Sequence, residues 1–238
     1  MQKLYERFKT DKNFRREVGL YLGATVNFFF VGFEFYGGIR YQSAWFIALA
    51  LYYLILTVVK LYIGISAHKK AGSSQWRTLK IAGIVMTVIN LALFVMISVM
   101  IADPTITLHG YSTVVAIALA VWTFYLFVTA IKGLAELKGK KDAWSLAAAV
   151  VKLIGAIVSV LMLQTAMIAS FGTGSGEDIL GDAVEIVNKT GEILMSDKTM
   201  NFLAGANRAT GIAVGLLVLG LTIYMIVRGI KEEKLLKK

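Results

Sequence analysis

The chain has 238 residues, of which 57% are hydrophobic and 17% charged, with a net charge of +10 and no cysteine. A soluble domain of this length cannot hide so much apolar surface, so the composition points to a bilayer. The absent cysteines exclude disulfides, thiolate metal sites and thiol catalysis. The basic residues sit at the ends of apolar runs, as membrane threading requires, which excludes nucleic acid as the partner behind the charge.

Residues 1–17 form a basic segment with Leu4, Tyr5 and Phe8 on one helical side. That pattern suits an amphipathic helix on a membrane surface, or equally a solvated helix. The first apolar stretch, Val18–Gly37, is too long for a cleaved leader and lacks a small-x-small site. Ala44–Ile63, Leu79–Ala102, Ser112–Ile131, Ala147–Ser170 and Thr210–Val227 follow. Each approaches or exceeds the ~20 apolar residues that cross a bilayer. In lipid each must satisfy its own backbone, so each is read as a helix. The expected fold is an all-α integral membrane protein with six transmembrane helices.

Twenty of the 25 Lys and Arg residues fall in residues 1–17, around the second and fourth connections, and in the C-terminal stretch from Arg228 to Lys238. These four segments share one side of a six-span thread, and the positive-inside rule makes that side cytoplasmic. Both termini are then cytoplasmic, in the plasma membrane. Tyr41 and Trp45 are expected as anchors at the outer boundary, and Trp76 and Trp144 at the inner one. Residues 172–209 form an extracytoplasmic acidic segment, with Glu177, Asp178, Asp182, Glu185, Glu192 and Asp197 against Lys189 and Lys198. Leu180, Val184 and Val187 are spaced for a short amphipathic helix; a hairpin through Asn188–Gly191 is the alternative. Asn188 also opens a glycosylation triplet.

An internal match runs at an offset of 72. YLILTVVK (Tyr53–Lys60) meets YLFVTAIK (Tyr125–Lys132), Lys80 meets Lys152, and Gly83 meets Gly155. About a dozen identities fall over roughly 50 positions, which aligns spans two and three with spans four and five. Arg228 closes span six as Lys60 and Lys132 close spans two and four. The layout this predicts is three two-helix hairpins about a pseudo-threefold axis.

Polar residues within spans are costly and so informative. Lys152 lies about ten residues beyond Lys141, near ~15 Å of helix rise. It must meet a partner or a wet cavity, or else snorkel to the interface. No carboxylate stands near it in sequence, which leaves backbone carbonyls, water or a bound anion. Glu34, near the outer end of span one, is expected to pair with Arg40 or else to serve as an outer-gate carboxylate. Asn27, Asn90 and Gln164, with Thr87, Ser159 and Thr165, either line a polar path or hydrogen-bond between helices. Gly23, Gly83, Gly155, Gly215 and Gly220 are read as close helix contacts. No catalytic constellation and no metal-ligand cluster appears, so the chain is read as a non-enzyme without a cofactor.

The runs YQSAW (Tyr41–Trp45) with LYYL (Leu51–Leu54), LQTAM (Leu163–Met167) with SFG (Ser170–Gly172), and IYMIVR (Ile223–Arg228) resemble an uncharacterised group of multi-spanning membrane proteins from anaerobic Gram-positive bacteria. That resemblance implies the six-span fold and no activity. The three-hairpin layout is also similar to the mitochondrial carrier plan, but the defining Pro-x-[Asp/Glu]-x-x-[Lys/Arg] motif is absent at every span.

The functional expectation is transport or conduction of a small anionic solute. The candidate contacts are Lys152, Lys80, Lys132, Lys60, Arg228, Asn90, Gln164 and Glu34. The alternative is a non-transporting scaffold, sensor or immunity protein whose polar residues only hold helices together. The partners expected are the lipid bilayer and either a small anion or an anionic lipid, with an oligomer allowed and no nucleic acid.

Overall fold

A computed structural model describes residues 12–40, 44–68, 74–102, 113–137, 142–171 and 197–235. It contains six helices: α1 (Lys12–Arg40), α2 (Ala44–His68), α3 (Ser74–Ala102), α4 (Thr113–Ala135), α5 (Ala143–Phe171) and α6 (Asp197–Leu235). All six are long and apolar enough to cross a membrane, and no strand occurs among the described residues. The chain is a multi-pass, all-α membrane protein. The surface helix expected before Lys12, the amphipathic helix at Leu180–Val187, the hairpin alternative and Tyr41 lie outside the described residues.

The helices overrun the apolar stretches that announce them. α3 and α5 each have 29 residues, or about 43 Å at 1.5 Å per residue. The hydrocarbon core is only ~30 Å thick. The excess turns lie where headgroups and water accept polar side chains, so hydropathy does not register them. α6 is the extreme case. It begins at Asp197, thirteen residues before Thr210, and the last part of the expected acidic loop is therefore helix. Asp142 caps the start of α5, its Oδ2 accepting from the Ser145 backbone N–H at 2.9 Å.

α5 is the central helix. Ala147, Ala148 and Ala149 are buried together, as are Ile154, Val158 and Leu161. α1 and α4 are peripheral and turn Phe28, Phe29, Val121 and Phe124 outward, where lipid would solvate them. Trp45 is 1% exposed and Trp76 6%. These two indoles pack in the core instead of forming the expected interfacial anchors, because their helix faces meet neighbouring helices before they meet headgroups.

The closest-packed pairs are α1 with α2, α3 with α6, and α4 with α5. At one end of the first pair a Cβ on Gly38 would come within 2.6 Å of the Ile47 side chain. The α3–α6 seam closes on glycine at three levels. A Cβ on Gly83 would lie 2.9 Å from Ile226, one on Gly215 2.8 Å from the Phe94 ring, and one on Gly229 3.0 Å from Lys80 Cβ. Asn90 Nδ2 donates to the Gly215 carbonyl at 3.1 Å, and Lys80 Nζ pairs with Glu233 at 2.5 Å. Gly155 also sits at a contact, 3.1 Å from Leu56, whereas Gly23 and Gly220 have nothing within 4 Å of an added Cβ. The close-contact reading therefore fails at those two positions.

The two segments matched at offset 72 are packed unequally: α2 against α3 is sparse and α4 against α5 is tight. Where α2 and α3 part they leave an apolar groove of about 690 Å³. Exchanging α1–α3 with α4–α6, by contrast, maps the three closest pairs onto themselves.

Candidate functional site

A cavity of about 370 Å³ opens between α1, α2, α4 and α5, towards the end of the bundle where α1 begins. Its α1 wall is Gly19, Gly23 and Asn27, spaced four residues apart and so on one helical face. The two glycines keep that wall low, since a Cβ on either would meet nothing within 4 Å. The glycine at 23 thus makes room for a cavity and not for a helix contact.

α2 contributes Lys60, which is 4% exposed. With the Asn27 amide oriented to suit its neighbours, Oδ1 accepts from Lys60 Nζ at 2.9 Å and Nδ2 donates to the Gly23 carbonyl at 3.3 Å. Asn27 thus fixes the ammonium at the cavity wall. α5 contributes Lys152, half-buried, whose Cδ lies 3.5 Å from the position of a Cβ on Gly133. The Lys152 stem thus runs along the Gly133 face of α4 at ordinary contact distance. α4 adds Tyr125, Thr129, Lys132 and Glu136. Lys152 is near enough to feel the charges of Lys60, Lys132 and Glu136. Three lysines from three helices therefore share the space with one glutamate, and the site carries excess positive charge.

Beyond Asn27 along α1 comes an aromatic layer. Phe30 stacks on Trp122, with ring centroids 5.0 Å apart and planes 10° apart, and meets Tyr53 edge-on at 5.0 Å. One turn further along α1 is Glu34, which is fully buried and has no hydrogen-bond partner on either oxygen among the described residues. The expected pairing with Arg40 does not form. Six residues put Arg40 about 120° around the helix from Glu34, and Glu34 continues the Gly23–Asn27–Phe30 stripe inward.

Of the eight residues proposed from sequence, Lys60, Lys132 and Lys152 converge on the cavity. Lys80 does not. It is paired with Glu233 in the α3–α6 seam, away from the cavity. Arg228 is engaged locally by the Tyr224 hydroxyl and ring. Asn90 bonds to Gly215 between helices. Gln164 is half-buried on α5, about 18 Å of helix rise beyond Lys152. Glu34 lies behind the aromatic layer. The smaller polar residues act mainly as helix ties: Thr123 donates to the Ser159 carbonyl at 3.1 Å and Thr165 to Asn207 at 3.2 Å.

Sequence reasoning missed Glu136, the carboxylate that faces Lys152. It follows Lys132 by four residues, a spacing that places both on one face at the end of a span, and that spacing was the available signal. Among the described residues no three His, Cys, Asp or Glu side chains gather to hold a metal ion. No family model, curated protein or solved structure matches the chain.

Proposed function

We propose that the protein carries a small anionic solute across the plasma membrane, with the Lys60–Lys132–Lys152 cavity as its binding site. The observation that supports this is the convergence of three cations from three helices on one cavity that supplies a single acid. A cation within a span is expensive unless a partner or water meets it. Like charges crowded in a low-dielectric cleft raise the local concentration of the opposite ion. The basic ends of the spans, read by the positive-inside rule, support a cavity that opens towards the cytoplasm.

The reading is tested in vesicles of zwitterionic lipid containing the purified protein, with labelled chloride, phosphate and lactate as probes. Lys152→Gln should lower flux of the preferred probe at least about fivefold. Lys231→Gln, exposed near the end of α6, should leave it unchanged. Equal behaviour of the two variants would favour the scaffold or sensor alternative. Flux or binding that appears only when anionic lipid is added would assign the cavity to a lipid headgroup.

Orientation is tested separately, and the absence of native cysteine makes labelling free of background. A cysteine at Thr173 should react in intact cells, and one at Gly139 or Lys238 only after permeabilisation. Labelling of the Lys238 position from outside would reverse the thread.

A further inference from the structure

The aromatic layer divides the polar residues of the α1 stripe into two sites. Asn27 belongs to the cavity; Glu34, about 10 Å further along the helix, is buried away from it. Among the described residues neither oxygen of the Glu34 carboxylate has a hydrogen-bond partner, while the Tyr53 phenol on α2 and the Trp122 indole on α4 lie beside each other nearby. Tyr53 is within electrostatic reach of Glu34, and it packs edge-on against Tyr52, with centroids 5.9 Å apart. The titratable group that reaches Glu34 from its packed neighbour α2 is thus the Tyr53 phenol, with Tyr52 beside it lining the groove towards α3. The bundle's nearest ammonium groups, Lys60 and Lys152, face the cavity on the far side of Phe30.

A bare carboxylate without a counter-ion or a hydrogen bond is not sustained in such surroundings, since its burial as an anion costs far more than a single contact returns. A hydrated cation or an organic ion would need room. A proton needs none. We propose that Glu34 is a proton-binding site, sealed from the anion cavity by the Phe30–Trp122–Tyr53 layer, and that proton exchange there is coupled to anion movement. The coupling rests on the transport reading above; the proton site does not. In this arrangement one proton joins a carboxylate oxygen of Glu34 to give the neutral acid, and it leaves to water when the layer parts. A carrier that moves the anion together with this proton transfers less net charge through the bilayer than one that moves the anion alone.

Two measurements on the full chain in zwitterionic vesicles test this. Infrared spectra taken at the pH of the flux assay should show the carbonyl stretch of a protonated carboxyl group, and Glu34→Gln should remove it. A band that survives the substitution, or no band in the wild type, overturns the proton site. Using the probe that the wild type carries fastest among chloride, phosphate and lactate, a pH gradient should drive accumulation. Glu34→Gln should abolish that accumulation and keep one-for-one exchange of the same anion without a gradient. Undiminished gradient-driven uptake in the variant overturns the coupling, as does a sodium requirement in the wild type. If the wild type carries no probe, the transport reading and the coupling fall together, and the infrared band still decides the proton site. Because Gln copies the shape of the neutral acid, the variant should unfold at the wild-type temperature or above it.

Discussion

Lys60→Met should leave the folded protein at least as stable as the wild type while anion uptake falls about tenfold or more. The two effects have one cause. Lys60 is almost completely buried, its ammonium meets a single neutral partner among the described residues, Asn27, and the like charge of Lys152 is close by. Replacing a buried charge with an apolar side chain of similar length is often neutral or stabilising by ~1–4 kcal/mol. A residue kept only for the fold would not be chosen this way. A residue kept for an anion would, because the unfavourable burial is offset when the ligand arrives. Thermal unfolding of the detergent-purified protein and uptake in vesicles give the two readouts. A variant that unfolds well below the wild type yet transports normally would make Lys60 structural and remove it from the site.

Gly229→Val should destabilise the bundle by about 3 kcal/mol, at the upper end of the usual overpacking cost. Even the first added carbon would lie 3.0 Å from Lys80 Cβ, 3.1 Å from Lys80 N and 3.1 Å from the Trp76 carbonyl. Two of those atoms are backbone, so the clash is relieved only by moving one helix off the other. That movement would also strain the Lys80–Glu233 pair and the Asn90 bond to Gly215. Gly220→Val, on the same helix with nothing within 4 Å, is the matched control and should change stability by no more than about 0.5 kcal/mol. Equal unfolding temperatures for the two variants would show that the α3–α6 seam tolerates separation. The cavity is built from the other four helices, so a folded fraction of Gly229→Val should retain its anion preference.

The number and placement of the helices were legible in the sequence because the bilayer imposes a length and a hydropathy on each span. The bundle reproduces all six apolar stretches and extends them into turns that hydropathy does not register. Lys152 could also be picked out, since an ammonium about ten residues inside a span must be accounted for. What stands opposite it could not be. Lys60 and Lys152 are 92 positions apart, and their meeting depends on α2 and α5 packing side by side, which no periodicity encodes. Lys80 aligns with Lys152 at the internal offset and shares its residue type, yet it pairs with Glu233 in another seam. Glu34 is the sharpest case. In sequence Arg40 is its nearest cation; in the folded chain the angle around α1 separates them, and Phe30 stands between the carboxylate and Asn27 along the helix. Sequence alone determined that the chain lives in a membrane and which residues are costly there, because transfer of a side chain into lipid depends mainly on its own chemistry. The tertiary structure alone decided which of those residues share a cavity, which are tied off in helix seams and which stand without a partner, because that depends on the rotation and packing of whole helices against one another.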